Sequence, residues 1–388
     1  MKLLLYSHYF APSIGGVETI VQGLASGLAE LRDASGAPEF EVALVTQTPA
    51  GDFADASLPV PVVRRPGFLG LLARIRAADV VHLAGPAIVP LFASLVLRKR
   101  VVLEHHGFHA VCPNGQLFYE PTQSPCPGHF MAGRHRECLR CNAAQGALAS
   151  AKLWLTAFLR RFLAKRSSAN VTPTAWLGEV LALPRTKSIF HGIPAPNPAV
   201  ERGQGGVPVV VFQGRLVSTK GARILLEAAR NLLQRQFRFE LHIIGGGPQR
   251  ETLAQLTREW GLEPAAQFLG PLAAAELDRE LERASVVVVP SQGGEVFGLV
   301  VAENMFRGLP VVASNLGAFV EVIGDAGIVF RTGDAADLAQ RLAELLGDPV
   351  ARENLGMRAR TRAARFFARD RMIEAHASLY RNLVGAKR

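Results

Sequence analysis

The run Val286-Val287-Val288-Val289 constrains the fold most: four β-branched residues in a row, with no polar position among them. A strand with one wet face alternates apolar and polar residues. A strand without alternation is covered on both faces, as in a parallel sheet whose crossover helices lie on each side. Short apolar runs recur at Leu3–Tyr6, Val42–Val45, Val80–Leu83, Val101–Leu103, Asn170–Thr172, Ser188–Phe190, Val209–Phe212, Glu240–Ile244 and Val311–Ala313. Amphipathic stretches such as Glu18–Leu31 lie between them. This alternation predicts α/β architecture with doubly wound, Rossmann-like domains.

A chain of 388 residues is long for one core and suits two domains. Pro194–Pro208 is rich in Pro and Gly and carries Glu201 and Arg202, which is linker composition. The expected division is an N-terminal domain over 1–195 and a C-terminal domain over 196–365. Ligands of open parallel sheets bind at the carboxyl ends of the strands, so two such domains facing each other would put a site in the cleft.

Composition removes several classes. Hydrophobic residues at 49% and charged residues at 20% exclude a disordered chain. Four cysteines in this length are not a disulfide scaffold. The start, Met1-Lys2-Leu3-Leu4-Leu5-Tyr6-Ser7, lacks the apolar core of a signal peptide. Val80–Leu97 has no formal charge, but His82, Gly85, Pro86 and Pro90 make it a buried strand, a loop and a short helix rather than a membrane span. The expected location is cytoplasmic. The net charge of +10 suits an anionic partner, or reflects Arg spent on solvated helix faces. Nucleic acid is disfavoured, because aromatics are only 7% and no binding motif appears.

Candidate chemistry clusters at strand ends. Gly214-Arg215 and Lys220-Gly221 follow the run Val209–Phe212. Two permanent cations flanked by glycines suit a diphosphate, and equally describe an exposed loop. Gly245-Gly246-Gly247 follows Glu240–Ile244 and reads as a close-approach loop or a tight turn. After Val286–Val289 comes Ser291-Gln292-Gly293-Gly294-Glu295-Val296-Phe297-Gly298, then a helix expected from about Gly298 to Phe306. Free amides at a helix start favour phosphate. Glu295 in the loop and Glu303 in the helix can accept hydrogen bonds from sugar hydroxyls; the plain alternative for Glu303 is a pair with Arg307 at i+4.

Glu295 and Glu303 reproduce the E-x7-E pattern of retaining glycosyltransferases. With Gly15-Gly16-Val17-Glu18, His191-Gly192-Ile193 and Gly308-Leu309-Pro310-Val311-Val312-Ala313, the chain resembles glycosyltransferase family 4, of GT-B fold, from Lys2 to about Leu383. The resemblance implies that Arg215 and Lys220 hold the diphosphate of a nucleoside-diphosphate sugar. It implies that the amides at Phe297, Gly298 and Leu299 cradle phosphate and sugar, that Glu295 binds donor-sugar hydroxyls, and that Glu303 binds ribose. Gly16 would let the N-terminal loop approach the donor phosphate. His106, in Glu104-His105-His106-Gly107, resembles the active-site His beside the transferred sugar; a packed loop His is the alternative. Gly107 departs from the acid that often follows this His. The segment 366–388 would pack back on the N-terminal domain. No Asp-x-Asp occurs, so no catalytic metal is expected.

Cys112, Cys126, Cys138 and Cys141, as C-x13-C-x11-C-x2-C in the insert 107–142, are candidate ligands of a structural zinc, with an iron–sulfur cluster, a redox disulfide or plain thiols as alternatives. His129 and His135 are substitute ligands. Lys152–Arg166 carries five cations and no acid, with Trp154, Phe158 and Phe162 at i, i+4, i+8. That stripe either contacts an anionic membrane, giving a peripheral place at its inner face, or packs on the core. The expected function is retaining transfer of a sugar to a hydroxyl of a glycan or lipid-linked acceptor, in surface polysaccharide synthesis. A sugar-nucleotide epimerase or a basic nucleic-acid-binding protein are the rival readings.

Overall fold

The apolar runs form two parallel sheets. The computed structural model describes residues 1–13, 15–194 and 206–385, so most of the expected linker lies outside the described residues. The first sheet is built from β1 (Lys2–Ser7), β2 (Glu41–Thr46), β3 (Val62–Arg64), β4 (Val80–Ala84) and β5 (Arg100–Glu104). After a short hairpin, β6 (Phe118–Tyr119) and β7 (Ser124–Pro125), the same sheet gains β8 (Ala169–Thr172) and β9 (Thr186–Ser188). Its order is β3-β2-β1-β4-β5-β8-β9, with every pair parallel. The second sheet holds β10 (Val209–Gln213), β11 (Glu240–Ile244), β12 (Ala266–Gly270), β13 (Val286–Val289), β14 (Val311–Ser314) and β15 (Ile328–Phe330), in the order β12-β11-β10-β13-β14-β15. Both orders are doubly wound, with a switch point beside the first strand.

Val286, Val287 and Val288 are fully buried, as the absence of alternation requires. The segment Val80–Leu97 resolves into β4, a loop and the helix Ile88–Val96. Among the described residues no helix is long and apolar enough to cross a membrane. The last strand of the first sheet lies at Thr186–Ser188, ahead of the apolar Ser188–Phe190. It is an exposed edge strand, where hydrophobicity is a poor guide to pairing.

The chain forms two compact units, Met1–Leu117 with Pro127–Pro194 and Phe367–Arg388, and Phe118–Cys126 with Ala195–Phe366. In the first unit the right-handed crossover rule puts the helix Gly16–Glu30 on one face of the sheet, where the helix Arg369–Gly385 packs on it. Helices Phe68–Ala77, Ile88–Val96 and Ala147–Ala164 pack side by side on the other face. The helix Arg369–Gly385 is fastened by Arg381, which donates to Glu39 Oε2 at 2.8 Å, and by Arg100, which donates to the Leu383 carbonyl at 2.8 Å.

Candidate functional site

In the second unit the two central strands β10 and β13 deliver the predicted loops to one place. After β10 the chain makes a single turn at Ser218–Lys220 and enters the helix Ala222–Gln234 through Gly221. Gly221 has φ +69°, and a Cβ there would lie 1.9 Å from the Pro290 carbonyl oxygen. Glycine thus lets the Lys220 turn lie against the end of β13. The Gln292 amide donates to the Thr219 carbonyl at 2.7 Å and ties the two loops together.

Lys220 Nζ donates to Glu295 Oε1, which also accepts from Ser291 Oγ at 2.9 Å. The carboxylate and the ammonium, 75 positions apart in sequence, are one unit in space. Arg215 is exposed and has no ion pair among the described residues. The helix after the loop runs Leu299–Phe306, with Gly298 as its N-cap in the left-handed region at φ +94°. Phe297 is buried and anchors this helix start.

Glu303 begins the second turn of this helix, half-buried, and burial raises its pKa above the ordinary value. Arg307 donates to Asp278 at 2.7 Å and lowers the Glu303 pKa only through space. The glycines Gly245 and Gly247 approach protein backbone: a Cβ at Gly245 would meet the Gly214 carbonyl oxygen at 2.0 Å, and one at Gly247 the Leu216 carbonyl oxygen at 2.5 Å.

In the first unit a cavity of about 790 Å³ opens at the carboxyl ends of the strands. Ser7, Gln47, Gly85, His106 and Gly107 line it, with Glu18 from the first turn of the helix that begins at Gly16. His106 reaches it from the end of β5. Behind His106 lies a buried network that the sequence reading did not single out. Tyr380 hydroxyl is 2.8 Å from His82 Nδ1, and His82 Nε2 is 3.0 Å from Glu104 Oε2. Glu104 Oε2 is also 3.7 Å from His106 Nε2, 3.8 Å from His376 Nε2, while Oε1 is 3.7 Å from His191 Nδ1. The His106 and His191 rings stack at 5.2 Å, and with Glu104 they bring three potential ligand atoms within 4.8 Å of one another, as do Glu104, His82 and His376.

Burial pushes the Glu104 carboxyl up, but the surrounding imidazoles, His106 foremost, and the His82 hydrogen bond outweigh it, and its pKa falls well below 4.5. Burial drives His105 and His376 down to about 4 and His191 to about 3. These three histidines are neutral in the folded state and charge on unfolding below pH 6.5. Their contribution is therefore complete above that pH and is lost as pH falls toward 4. The loss is roughly 1.4 kcal/mol per histidine per pH unit. Thermal melts should show a steep drop between pH 6.5 and 5; equal midpoints at both would refute it.

Cys112 and Cys141 come to one side chain: Cys112 Sγ donates to Asn114 Oδ1 at 3.0 Å, and Asn114 Nδ2 donates to Cys141 Sγ at 3.8 Å. Cys138, one turn before Cys141, packs with Phe130 and Ala157. Among the described residues no three of the cysteine sulfurs form a close group of potential ligand atoms; the groups of three all include Glu104. Cys126 follows β7 in the hairpin segment Phe118–Cys126.

Residues 197–362 match the family described as "Glycosyl transferases group 1". The chain is 35% identical over 188 residues to a D-inositol 3-phosphate glycosyltransferase of Corynebacterium kroppenstedtii, covering 45% of this chain and 42% of that protein. It is 31% identical over 217 residues to an exopolysaccharide phosphotransferase of Streptomyces coelicolor, covering 55% of this chain and 22% of that one. The chain thus spans about half or less of the length of these curated relatives. Among solved structures, Anabaena Alr3699/HepE in complex with UDP-glucose superposes with a TM-score of 0.73 at 17% identity, over 98% of this chain and 100% of that one. Residues 197–362 thus match the glycosyl transferases group 1 family, and the chain shares the GT-B fold of its structural neighbours.

Proposed function

We propose that the protein is a retaining glycosyltransferase of family 4. It would move a sugar from a nucleoside-diphosphate sugar to a hydroxyl of a glycan or lipid-linked acceptor in surface polysaccharide synthesis. The observation that carries this reading is the Lys220–Glu295–Ser291 cluster beside the helix start at Gly298, at the carboxyl ends of β10 and β13. Breaking a glycosyl–phosphate bond leaves negative charge on the diphosphate. Fixed cations and amides aimed at that charge lower the barrier. Lys220 and the exposed Arg215 supply the cations, and the amides at Phe297, Gly298 and Leu299 supply neutral donors. Lys220 would exchange Glu295 for phosphate when the donor enters, which turns the Glu295 carboxylate toward sugar hydroxyls. In the first unit the cavity would take the acceptor, with His106 at its wall. The cysteine insert is read as a structural zinc site with no part in transfer.

Relatives named as glycosyltransferases, and a neighbour solved with UDP-glucose, support the donor class. Thermal shift against a panel of nucleotide-sugars, followed by a transfer assay with the stabilising donor, tests the reading. Stabilisation by no nucleotide-sugar would overturn it. Glu303 provides a sharper check. As a ribose ligand it accepts hydroxyl hydrogen bonds as a carboxylate, so Glu303→Gln should weaken the bare nucleoside diphosphate about tenfold or more. Calorimetry that shows unchanged affinity would assign Glu303 to packing.

A further inference from the structure

Of the aromatic stripe on the helix Ala147–Ala164, Trp154 is half-buried, while Phe158 is 39% exposed and Phe162 52%. Trp154 and Phe158 turn toward one another, with ring centroids 4.9 Å apart, and Phe158 lies 4.6 Å from Phe130. The outward stripe is Leu148, Leu155, Leu159 and Phe162, spaced i, i+7, i+11 and i+14; Leu148 is 90% exposed and Leu155 63%. It is not alone. The neighbouring helix Ile88–Val96 exposes Val89, Phe92 and Val96, with Phe92 57% exposed, and the helix beyond it, Phe68–Ala77, exposes Phe68 and Leu69. Three helices on one face of one sheet thus present a band of large apolar side chains to solvent. Scattered exposed apolar residues are ordinary, but a contiguous band marks an interaction surface.

Charge selects the occupant. Between Arg65 and Arg100 the chain has six cations and one acid, Asp79; from Ala147 to Ser168 it has five cations and no acid. Asp79 is taken by the Lys2 amide, which donates to Oδ2 at 2.8 Å. Lys152 and Lys165 are exposed and form no ion pair among the described residues. Arg166 lies over the Phe162 ring at 3.5 Å, its charge held against an exposed aromatic. A second copy of the chain would bring like charges face to face. A protein partner of any kind must supply acids and apolar groups together, whereas an anionic bilayer supplies both at every point of its surface.

We propose that this three-helix face is a docking surface for an anionic lipid bilayer. Apolar side chains enter the headgroup region while Lys152, Lys165 and Arg166 meet lipid phosphates. Phe68 and Val89 belong to the band and also line the cavity that holds His106, as does Arg160 of the third helix. Docking on this face therefore brings the cavity mouth to the lipid surface. This last point rests on the glycosyltransferase reading, because it delivers a lipid-linked acceptor from the bilayer plane; the docking itself does not.

The test is co-sedimentation with vesicles of phosphatidylcholine containing about one third phosphatidylglycerol, and with phosphatidylcholine alone. The full chain should bind the anionic vesicles and leave the neutral ones, and high salt should weaken binding. Lys152→Gln with Lys165→Gln should reduce partitioning about tenfold or more, at about fivefold per charge. Phe92→Glu with Leu155→Glu should reduce it by at least about tenfold. Both substitutions are at exposed positions outside the cavity, so the melting temperature and transfer to a water-soluble acceptor should stay at the wild-type level. Equal binding to both vesicle types, undiminished binding by the variants, or a dimer that Leu155→Glu dissociates would each overturn the docking surface. Vesicle binding without any sugar transfer would leave the docking surface standing and overturn the enzymatic reading alone.

Discussion

Lys220→Ala is expected to reduce turnover by about tenfold or more, the loss of one charge-assisted bond to a leaving diphosphate. The structure sharpens what should accompany it. Lys220 and Glu295 form a partly buried pair, and Glu295 has a second donor in Ser291, so the melting temperature should fall only modestly. Glu295 would keep Ser291 Oγ as its donor, and the loop that carries it would remain in place. Lys220→Arg restores charge on a longer, planar head and should recover only part of the activity, because a fork does not sit where a point charge sat. Steady-state kinetics with the cognate donor is the measurement. Wild-type turnover in folded Lys220→Ala would remove this side chain from the proposed site.

Gly221→Ala, one residue on, should act through stability instead. Two costs add. The left-handed backbone at φ +69° disfavours any Cβ, and the Cβ would stand 1.9 Å from a carbonyl oxygen of the chain itself. A main-chain neighbour cannot rotate away as a side chain can. The expected loss is about 3 kcal/mol or more, read as a fall in the denaturation midpoint. Gly298→Ala gives a comparison at similar φ: its Cβ would meet the Phe319 ring at 2.5 Å, and a side chain has somewhere to go. The Gly221 change should be the worse of the two. If Gly221→Ala unfolds at the wild-type midpoint, the two loops are not in the contact described.

The strand runs, their parallel pairing and the division into two sheets were legible in the residues, because burial on both faces leaves an unmistakable mark on a strand. Val286–Val289 and Glu240–Ile244 form strands with those bounds. Short strands without such runs, such as Ala266–Gly270 and Ile328–Phe330 at the two edges of the second sheet, were not legible. An edge strand is covered on fewer sides and carries a weaker pattern. The candidate site residues of the second unit could be nominated one by one, from glycines and charges placed after strands. That Lys220 and Glu295 would touch was not, since sequence carries no distance across 75 positions.

The network behind His106 shows the same limit more strongly. Glu104 stands two positions from His106, but His82, His191, His376 and Tyr380 reach it from β4, from the turn after β9 and from the last helix. Of these only His191 sits in a motif, His191-Gly192-Ile193, and that motif does not point to Glu104. A buried carboxylate among imidazoles is a product of how strands and helices are stacked, and only the tertiary structure decides which distant polar groups meet. The exposed apolar band is the converse case. For the stripe over Lys152–Arg166 the sequence left membrane contact and core packing both open, since Leu155 on an amphipathic helix is indistinguishable from a buried one. Hydrophobic period fixes that a helix has an apolar face. Which face the sheet covers, and which it leaves to solvent, depends on the helices beside it.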